Sequence, residues 1–141
     1  MEKPDFYEEI KDYCLRYHPF IAEDEEELTA RAHMAQDTFD RCKENGMNYD
    51  YAKHEANLVL YDGLNFSLYE MIEDIIDEKH LKLTGLDKMA KHMCILLKPI
   101  VDKYEINDDF GGTVEYDYLR KELDEQITAY IKKTGLDQFR R

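Results

Sequence analysis

The 141-residue sequence has few basic residues, few cysteines, one serine and no tryptophan. Its 19 lysines and arginines stand against 32 acidic residues, which gives a formal net charge of −13. Proteins that bind nucleic acid or anionic membranes concentrate Lys and Arg on the contacting surface. The scarcity of positive charge therefore argues against direct binding to nucleic acid and to membranes. The acidity itself has three interpretations: solubility, a basic partner, or imitation of the charge of DNA.

Cysteine is rare and widely spaced. The three residues are Cys14, Cys42 and Cys94, and no C-x-x-C motif occurs. An odd number at these spacings does not suit a disulfide framework or a zinc knuckle. Each cysteine falls on an apolar stripe, which predicts buried thiols. The N-terminus lacks the basic start and apolar run of a signal peptide, and no apolar stretch approaches the ~20 residues of a membrane helix. We therefore expect a cytoplasmic protein.

Motifs for metal or nucleophilic chemistry are scarce as well. Carboxylate-bridged metal sites in helical bundles need two E-x-x-H helices, whereas Asp77-x-x-His80 is the one motif of that spacing here. Ser67 is the only serine and fits a helix cap. Gly111-Gly112 lacks the glycine spacing and the basic residue of a phosphate loop. We predict no catalytic, cofactor-binding or metal-binding residues.

Two histidine–carboxylate pairs have i, i+4 spacing, which places their side chains side by side on a helix. They are His33 with Asp37 and Asp50 with His54. Such a pair can serve as a general acid and base, or it can form a hydrogen bond at the surface. The second interpretation fits a sequence without other catalytic motifs, and we predict that the protein is not an enzyme.

What the sequence has in abundance is helical periodicity. Apolar residues recur at three- and four-residue steps, with proline, glycine and capping residues at the ends of the segments. Pro99 lies inside the fifth stripe, where we expect a kink and not an end. The segments are Pro4 to about Tyr17, Glu23 to Asn45-Gly46, Tyr49 to Tyr61, the stretch after Ser67, Asp87 to Tyr104, and Tyr116 to Gly135. The prediction is an all-α protein, with a single domain over residues 1–141 that forms an orthogonal or bundle-like array of about six helices.

Tyrosine is common in three of these helices. In two pairs the tyrosines are two positions apart: Tyr49 with Tyr51, and Tyr116 with Tyr118. Residues two positions apart cannot share one helical face, so some of these rings must lie near solvent. Exposed tyrosines are typical of protein interfaces. We therefore predict these four residues as a possible partner surface. Packing at the edge of the core, with the hydroxyl in water, remains the alternative.

The ordered set of motifs resembles the domain of unknown function 1896 family. In the first half it comprises Tyr17-His18-Pro19, Thr29-Ala30-Arg31-Ala32 and Gly63-Leu64-Asn65-Phe66-Ser67. In the second half it comprises Leu97-Lys98-Pro99, Lys103-Tyr104, Asp108-Asp109-Phe110, Glu115-Tyr116-Asp117-Tyr118-Leu119 and Thr134-Gly135-Leu136. The resemblance implies an all-helical protein of Bacteroidetes, often encoded on conjugative transposons. It implies no activity and no site residues.

Three functional hypotheses follow from these observations. The first is a non-enzymatic accessory protein, connected with a mobile element, that binds another protein or its own copy. The second is an acidic mimic of DNA that acts on a nucleic-acid-binding protein. The third is a helical metal-binding enzyme, which would require a pocket with converging histidines and carboxylates.

Overall fold

The computed structural model describes residues 4–79, 81, 83 and 85–135. All of its regular structure is helical, and no strand occurs among the described residues. Six helices of ten or more residues match the six predicted segments, which confirms the all-α prediction. They are α1 (Phe6–Tyr17), α3 (Glu25–Glu44), α4 (Tyr49–Leu60), α5 (Leu68–Asp77), α6 (Leu86–Leu96) and α8 (Val114–Thr134).

Three shorter elements also occur in the described residues. The sequence did not predict α2 (Pro19–Ala22) or a 3-10 turn (Phe110–Gly112), whereas α7 (Lys98–Val101) falls within the fifth predicted segment. The chain divides into two compact units, residues 1–65 (unit 1) and 66–141 (unit 2). The prediction of a single domain over residues 1–141 stays a prediction.

Unit 1 is built on the antiparallel pair α3 and α4, with α1 packed against α3. Three alanines on the facing sides of the pair, Ala35, Ala52 and Ala56, are fully buried. Their small side chains let the two backbones approach closely. Phe39 closes one end of this contact, with its ring edge-to-face against Tyr49 and Phe6. The alternation of small and aromatic residues therefore sets the spacing of the pair.

Unit 2 packs α5, α6 and α8 around a core of aliphatic and methionine side chains. The stripe on α5 contributes Ile72, Ile75 and Ile76, all of them buried. Two ion pairs join the end of α5 to α8, one between Lys79 and Asp124 and one between Glu78 and Arg120. Burial of a continuous apolar stripe explains why α5 forms despite its ten-residue length.

The capping signals in the sequence correspond to real helix ends. The side-chain oxygen of Ser67 accepts a hydrogen bond from the backbone N–H of Glu70 at 3.0 Å, so Ser67 is the N-cap of α5. Asp24 caps α3 in the same way, so the acidic run begins before that helix and continues through its first turn. Gly46 follows α3 with φ +84° and Gly135 follows α8 with φ +81°. Both glycines have a positive φ, which residues with a Cβ rarely adopt, and this suits them to the end of a helix.

The prediction of a kinked helix through Pro99 was wrong, because the helix stops. Helix α6 ends at Leu96, and α7 begins at Lys98 with Pro99 in its first turn. Proline has no N–H to give to the carbonyl of Ile95, and its ring would clash with that carbonyl in a continuous helix. The apolar stripe continues across this break, which is why the pattern alone suggested one helix.

Candidate interaction surfaces

The four predicted tyrosines divide into two inward and two outward rings. Tyr49 packs edge-to-face on Phe39 at 5.4 Å between ring centroids, and Tyr116 packs on Phe110 at 6.1 Å. Tyr51 and Tyr118 are exposed, Tyr118 by 61%. The members of each pair thus lie on different faces of their helix, as their spacing requires. One pair lies in each unit.

On α8, the exposed ring of Tyr118 has an apolar neighbour. Val114 precedes it by one helical turn and is itself exposed. The i, i+4 spacing places both side chains on the outward face of the helix. We call this pair the α8 face. Tyr118 was predicted from the sequence as part of a partner surface, whereas Val114, the first residue of the helix, was not.

On α4, a second outward face combines apolar and acidic side chains. Leu58, 58% exposed, lies two turns after Tyr51 on the same side, with Glu55 between them. The exposed Asp62 follows two residues after the end of the helix. The Tyr51 hydroxyl forms a hydrogen bond with Glu55, which raises the pKa of Tyr51. Lys53, the only lysine or arginine in α4, binds Glu9 of α1 at 2.8 Å instead. We call residues Tyr51, Glu55, Leu58 and Asp62 the α4 face, and its titratable side chains are acidic apart from the tyrosine.

On α6 and the start of α7, a third face has the opposite charge. Ile95, 65% exposed, lies beside the exposed Leu96 and one turn from the exposed Pro99. Lys98 stands beside this apolar patch, and Lys88 lies two helical turns before Ile95, with the exposed His92 between them. We call Lys88, Ile95, Leu96, Lys98 and Pro99 the α6 face. Residues 88–101 contain three lysines and no acidic residue over 14 positions, in a chain whose net charge is −13.

The acidity of the chain is unevenly distributed. Residues 1–65 carry 16 acidic and 7 basic side chains, a net charge of −9, and residues 66–141 carry 16 acidic and 12 basic, a net charge of −4. Unit 1 therefore holds most of the negative charge. The run from Glu23 to Glu27 contributes five acidic residues in succession, four of them exposed. It lies at the start of α3, where the helix dipole favours negative charge.

The motifs that carry the family resemblance in the first half meet at the end of α4. His18 Nε2 lies 2.8 Å from the Leu64 carbonyl oxygen, which the Tyr13 hydroxyl also approaches at 3.1 Å. Arg31 donates to the carbonyls of Leu60, at 3.1 Å, and Asp62, at 2.8 Å. Gly63, which lies between Asp62 and Leu64, turns the chain with φ +77°. These donors satisfy carbonyls that the end of a helix leaves without partners, so the motif residues hold the fold.

In unit 2 the motif residues form an aromatic cluster. Phe110 is buried, and the rings of Phe66, Tyr104 and Tyr116 surround it at 5.0 to 6.3 Å between centroids. The Tyr104 hydroxyl donates to Glu122 of α8 at 2.9 Å, and Lys103 reaches the same carboxylate at 2.8 Å. These hydrogen bonds, first from Lys103 and then from Tyr104, lower the pKa of Glu122. Residues 107–112, which connect α7 to α8, are thus anchored by the side chain of Phe110.

The candidate acid–base pairs lie open to solvent. His33 Nε2 is 3.6 Å from an oxygen of Asp37, and the histidine side chain is 76% exposed. Asp50 and His54 are also exposed. Neither pair is shielded from water. Among the described residues no group of three or more His, Cys, Asp or Glu side chains is placed to hold a metal ion. Asp77 lies at the end of α5, whereas His80 of the same motif lies outside the described residues.

One open groove of about 530 Å³ lies in unit 1 between the start of α1 and the middle of α3. Two of its polar side chains have local partners. Asp5 accepts a hydrogen bond from the backbone N–H of Glu8 at 3.1 Å as the cap of α1, and His33 pairs with Asp37. The groove is lined by Pro4, Asp5, Phe6, Tyr7, Thr29, Ala32, His33 and Gln36.

Two of the three cysteines match the prediction of buried thiols. Cys14 and Cys94 are buried, and burial raises their pKa values to about 11 and about 12. These thiols stay protonated at neutral pH, which suppresses their reactivity. Cys42 is only half-buried, so the prediction was wrong there. It occupies the edge of the stripe of α3, where the stripe runs out towards the end of the helix.

None of the described helices has the length and apolar character needed to span a membrane. No curated protein shows a significant match to the chain. The crystal structure of protein PG0816 from Porphyromonas gingivalis is similar, with a TM-score of 0.85 and 26% sequence identity over 93% of this chain and 91% of that chain. The model of a domain of unknown function, DUF1896, matches residues 4–136. The chain therefore belongs to the domain of unknown function 1896 family.

Proposed function

We propose that this protein acts by binding protein and not by catalysis. The observation that carries the proposal is the pairing of exposed large apolar side chains on outward helix faces: Tyr51 with Leu58, Ile95 with Leu96, and Val114 with Tyr118. Single exposed apolar residues are normal, whereas neighbouring ones on one face suit a protein interface. Tyrosine adds a large rigid contact surface with a polar tip.

The role proposed here includes no direct contact with nucleic acid. Counterion release requires several basic side chains on one track. Of the three lysines in residues 88–101, Lys91 lies 3.5 Å from Asp87 and Lys98 lies 3.0 Å from Asp102. Three lysines flanked by Asp87 and Asp102 do not form the longer basic track that a phosphate backbone requires.

We place this binding role in the cytoplasm of a Bacteroidetes host and connect it with a conjugative or other mobile genetic element. The resemblance of the ordered motifs supports this context, as does the similar protein from P. gingivalis. A reducing compartment would also keep the free thiols of Cys14, Cys42 and Cys94 unpaired.

An acidic mimic of DNA is the second candidate. It is favoured by the net charge of −9 in unit 1 and by the exposed acidic run at the start of α3. Such a protein would engage a basic nucleic-acid-binding protein through carboxylates, whereas the first candidate uses apolar faces.

Site-specific photo-crosslinking in host cells tests the proposal. A photoreactive residue is placed singly at Tyr51, Ile95 and Tyr118, and at Asp74 and Glu44 as exposed controls away from the faces. We expect crosslinked protein from at least one face position and little from the controls. Crosslinks from a further position, Glu26, to a nucleic-acid-binding protein would favour the DNA mimic. Equal yields at all positions, or none at any, would contradict the proposal.

A further inference from the structure

We propose that the chain associates head to tail with a second copy of itself, the α4 face of one copy packing on the α6 face of the next. This inference rests on the proposed function, because it takes both faces as binding surfaces. It goes further in naming the partner and the pair of surfaces that meet.

The α4 and α6 faces carry opposite charges. The α4 face carries Glu55 and Asp62, and it belongs to the unit with net charge −9. The α6 face belongs to the acid-free stretch of residues 88–101 and carries Lys88 and Lys98. Two identical faces of either kind would place like charges opposite one another, whereas one face of each kind places opposite charges together.

The two faces also both expose apolar side chains. Tyr51 and Leu58 lie two turns apart on α4, and the α6 face presents Ile95 and Leu96 side by side, with Pro99 one turn on. A ridge of two separated side chains can straddle a compact aliphatic patch, as in ordinary helix packing. The two faces are thus complementary in both charge and shape.

The existing ion pairs of the α6 face do not prevent this contact. Lys98 pairs with Asp102 one turn away, and both side chains are largely exposed. Exposed i, i+4 pairs contribute little to stability, so Lys98 can exchange its partner. Lys88 lies at the other end of the face and is exposed.

The geometry has a consequence for assembly. Because the two faces differ, a copy that uses its α4 face still has its α6 face available, and association follows a heterologous pattern. Two helix faces of this size bury little surface, so we expect weak binding with a Kd on the order of 10 μM. Screening of exposed charges should weaken it as salt rises.

Sedimentation velocity of charge-neutral serine variants tests the proposal. Tyr51→Ser/Leu58→Ser disables the α4 face, and Ile95→Ser/Leu96→Ser disables the α6 face. We expect the sedimentation coefficient of the wild-type chain to rise with concentration, and each double variant alone to remain a monomer. An equimolar mixture of the two should form dimers, because each variant keeps the one face that the other lacks.

Leu15→Ser is the matched control, since Leu15 is as exposed as Leu58 but lies on α1. It should associate like the wild type, and circular dichroism should show the same helix content in all variants. A wild-type chain that stays monomeric, association that survives in either double variant, or a mixture that does not recover dimers would overturn the proposal. If the chain is monomeric but the faces crosslink another protein, the proposed function stands and self-association falls. If neither occurs, both fall.

Discussion

Replacing Phe110 with alanine should lower the free energy of unfolding by about 3–5 kcal/mol. The ring is buried among three other aromatic rings at 5.0 to 6.3 Å, and its removal leaves a cavity that those rings cannot fill without losing their own contacts. Chemical denaturation followed by circular dichroism measures the change.

Phe20→Ala is the matched control, because Phe20 lies exposed on α2 and its ring is already in contact with water. We expect a loss of less than about 1 kcal/mol there. Equal losses in the two variants would contradict the assignment of Phe110 as the anchor of the aromatic cluster.

Replacing Arg31 with alanine should cost about 2–3 kcal/mol. The guanidinium donates to the carbonyls of Leu60 and Asp62 and pairs with Glu27 at 3.3 Å. Alanine would leave two carbonyls at the end of α4 without this donor. The denaturation midpoint measures the effect, and Arg31→Lys should fall between wild type and alanine, because lysine lacks the planar fork that reaches both carbonyls.

Arg41→Ala provides the comparison within the same helix, since Arg41 is exposed near the end of α3. It should change stability by no more than about 0.5 kcal/mol. A similar loss in both variants would mean that any positive charge on α3, and not the specific hydrogen bonds of Arg31, stabilises unit 1.

The helices were predictable because each carries local signals of its own. Ser67 before the stripe of α5, and Gly46 after α3, act within a few residues, so the sequence shows them directly. The break at Pro99 was harder. Periodicity indicates which side chains face the core, and the core positions Met93 and Val101 stay in phase across the break. The helical hydrogen bonds are interrupted there, because Pro99 has no N–H and the N–H of Ile100 donates to Leu97 instead of Leu96. The one-turn helix α2 has too few residues to show a period.

The candidate surfaces were predictable only in part. The spacing of Tyr116 and Tyr118 required one ring to face outward, but it did not say which. The α6 face was missed because Ile95 and Leu96 adjoin a regular apolar stripe, and their exposure depends on where α6 ends. The convergence of His18 and Arg31 on the turn after α4 is a contact over 29 or more positions, which no local pattern reveals.

The central claim separates two sets of residues by burial. Arg31 and Phe110 hold the fold, whereas the proposed binding surfaces are exposed helix faces, and these include the motif residues Lys98, Pro99 and Tyr118.

A variant with serine at Tyr51, Leu58, Ile95, Leu96 and Tyr118 tests this claim most directly. Its free energy of unfolding is measured together with its capture of bound protein by an amine-reactive crosslinker, which needs none of the five replaced side chains. We predict stability within about 2 kcal/mol of wild type, since each exposed substitution costs little, together with loss of the bound protein. Unfolding of the variant, or full retention of the bound protein, would contradict the account.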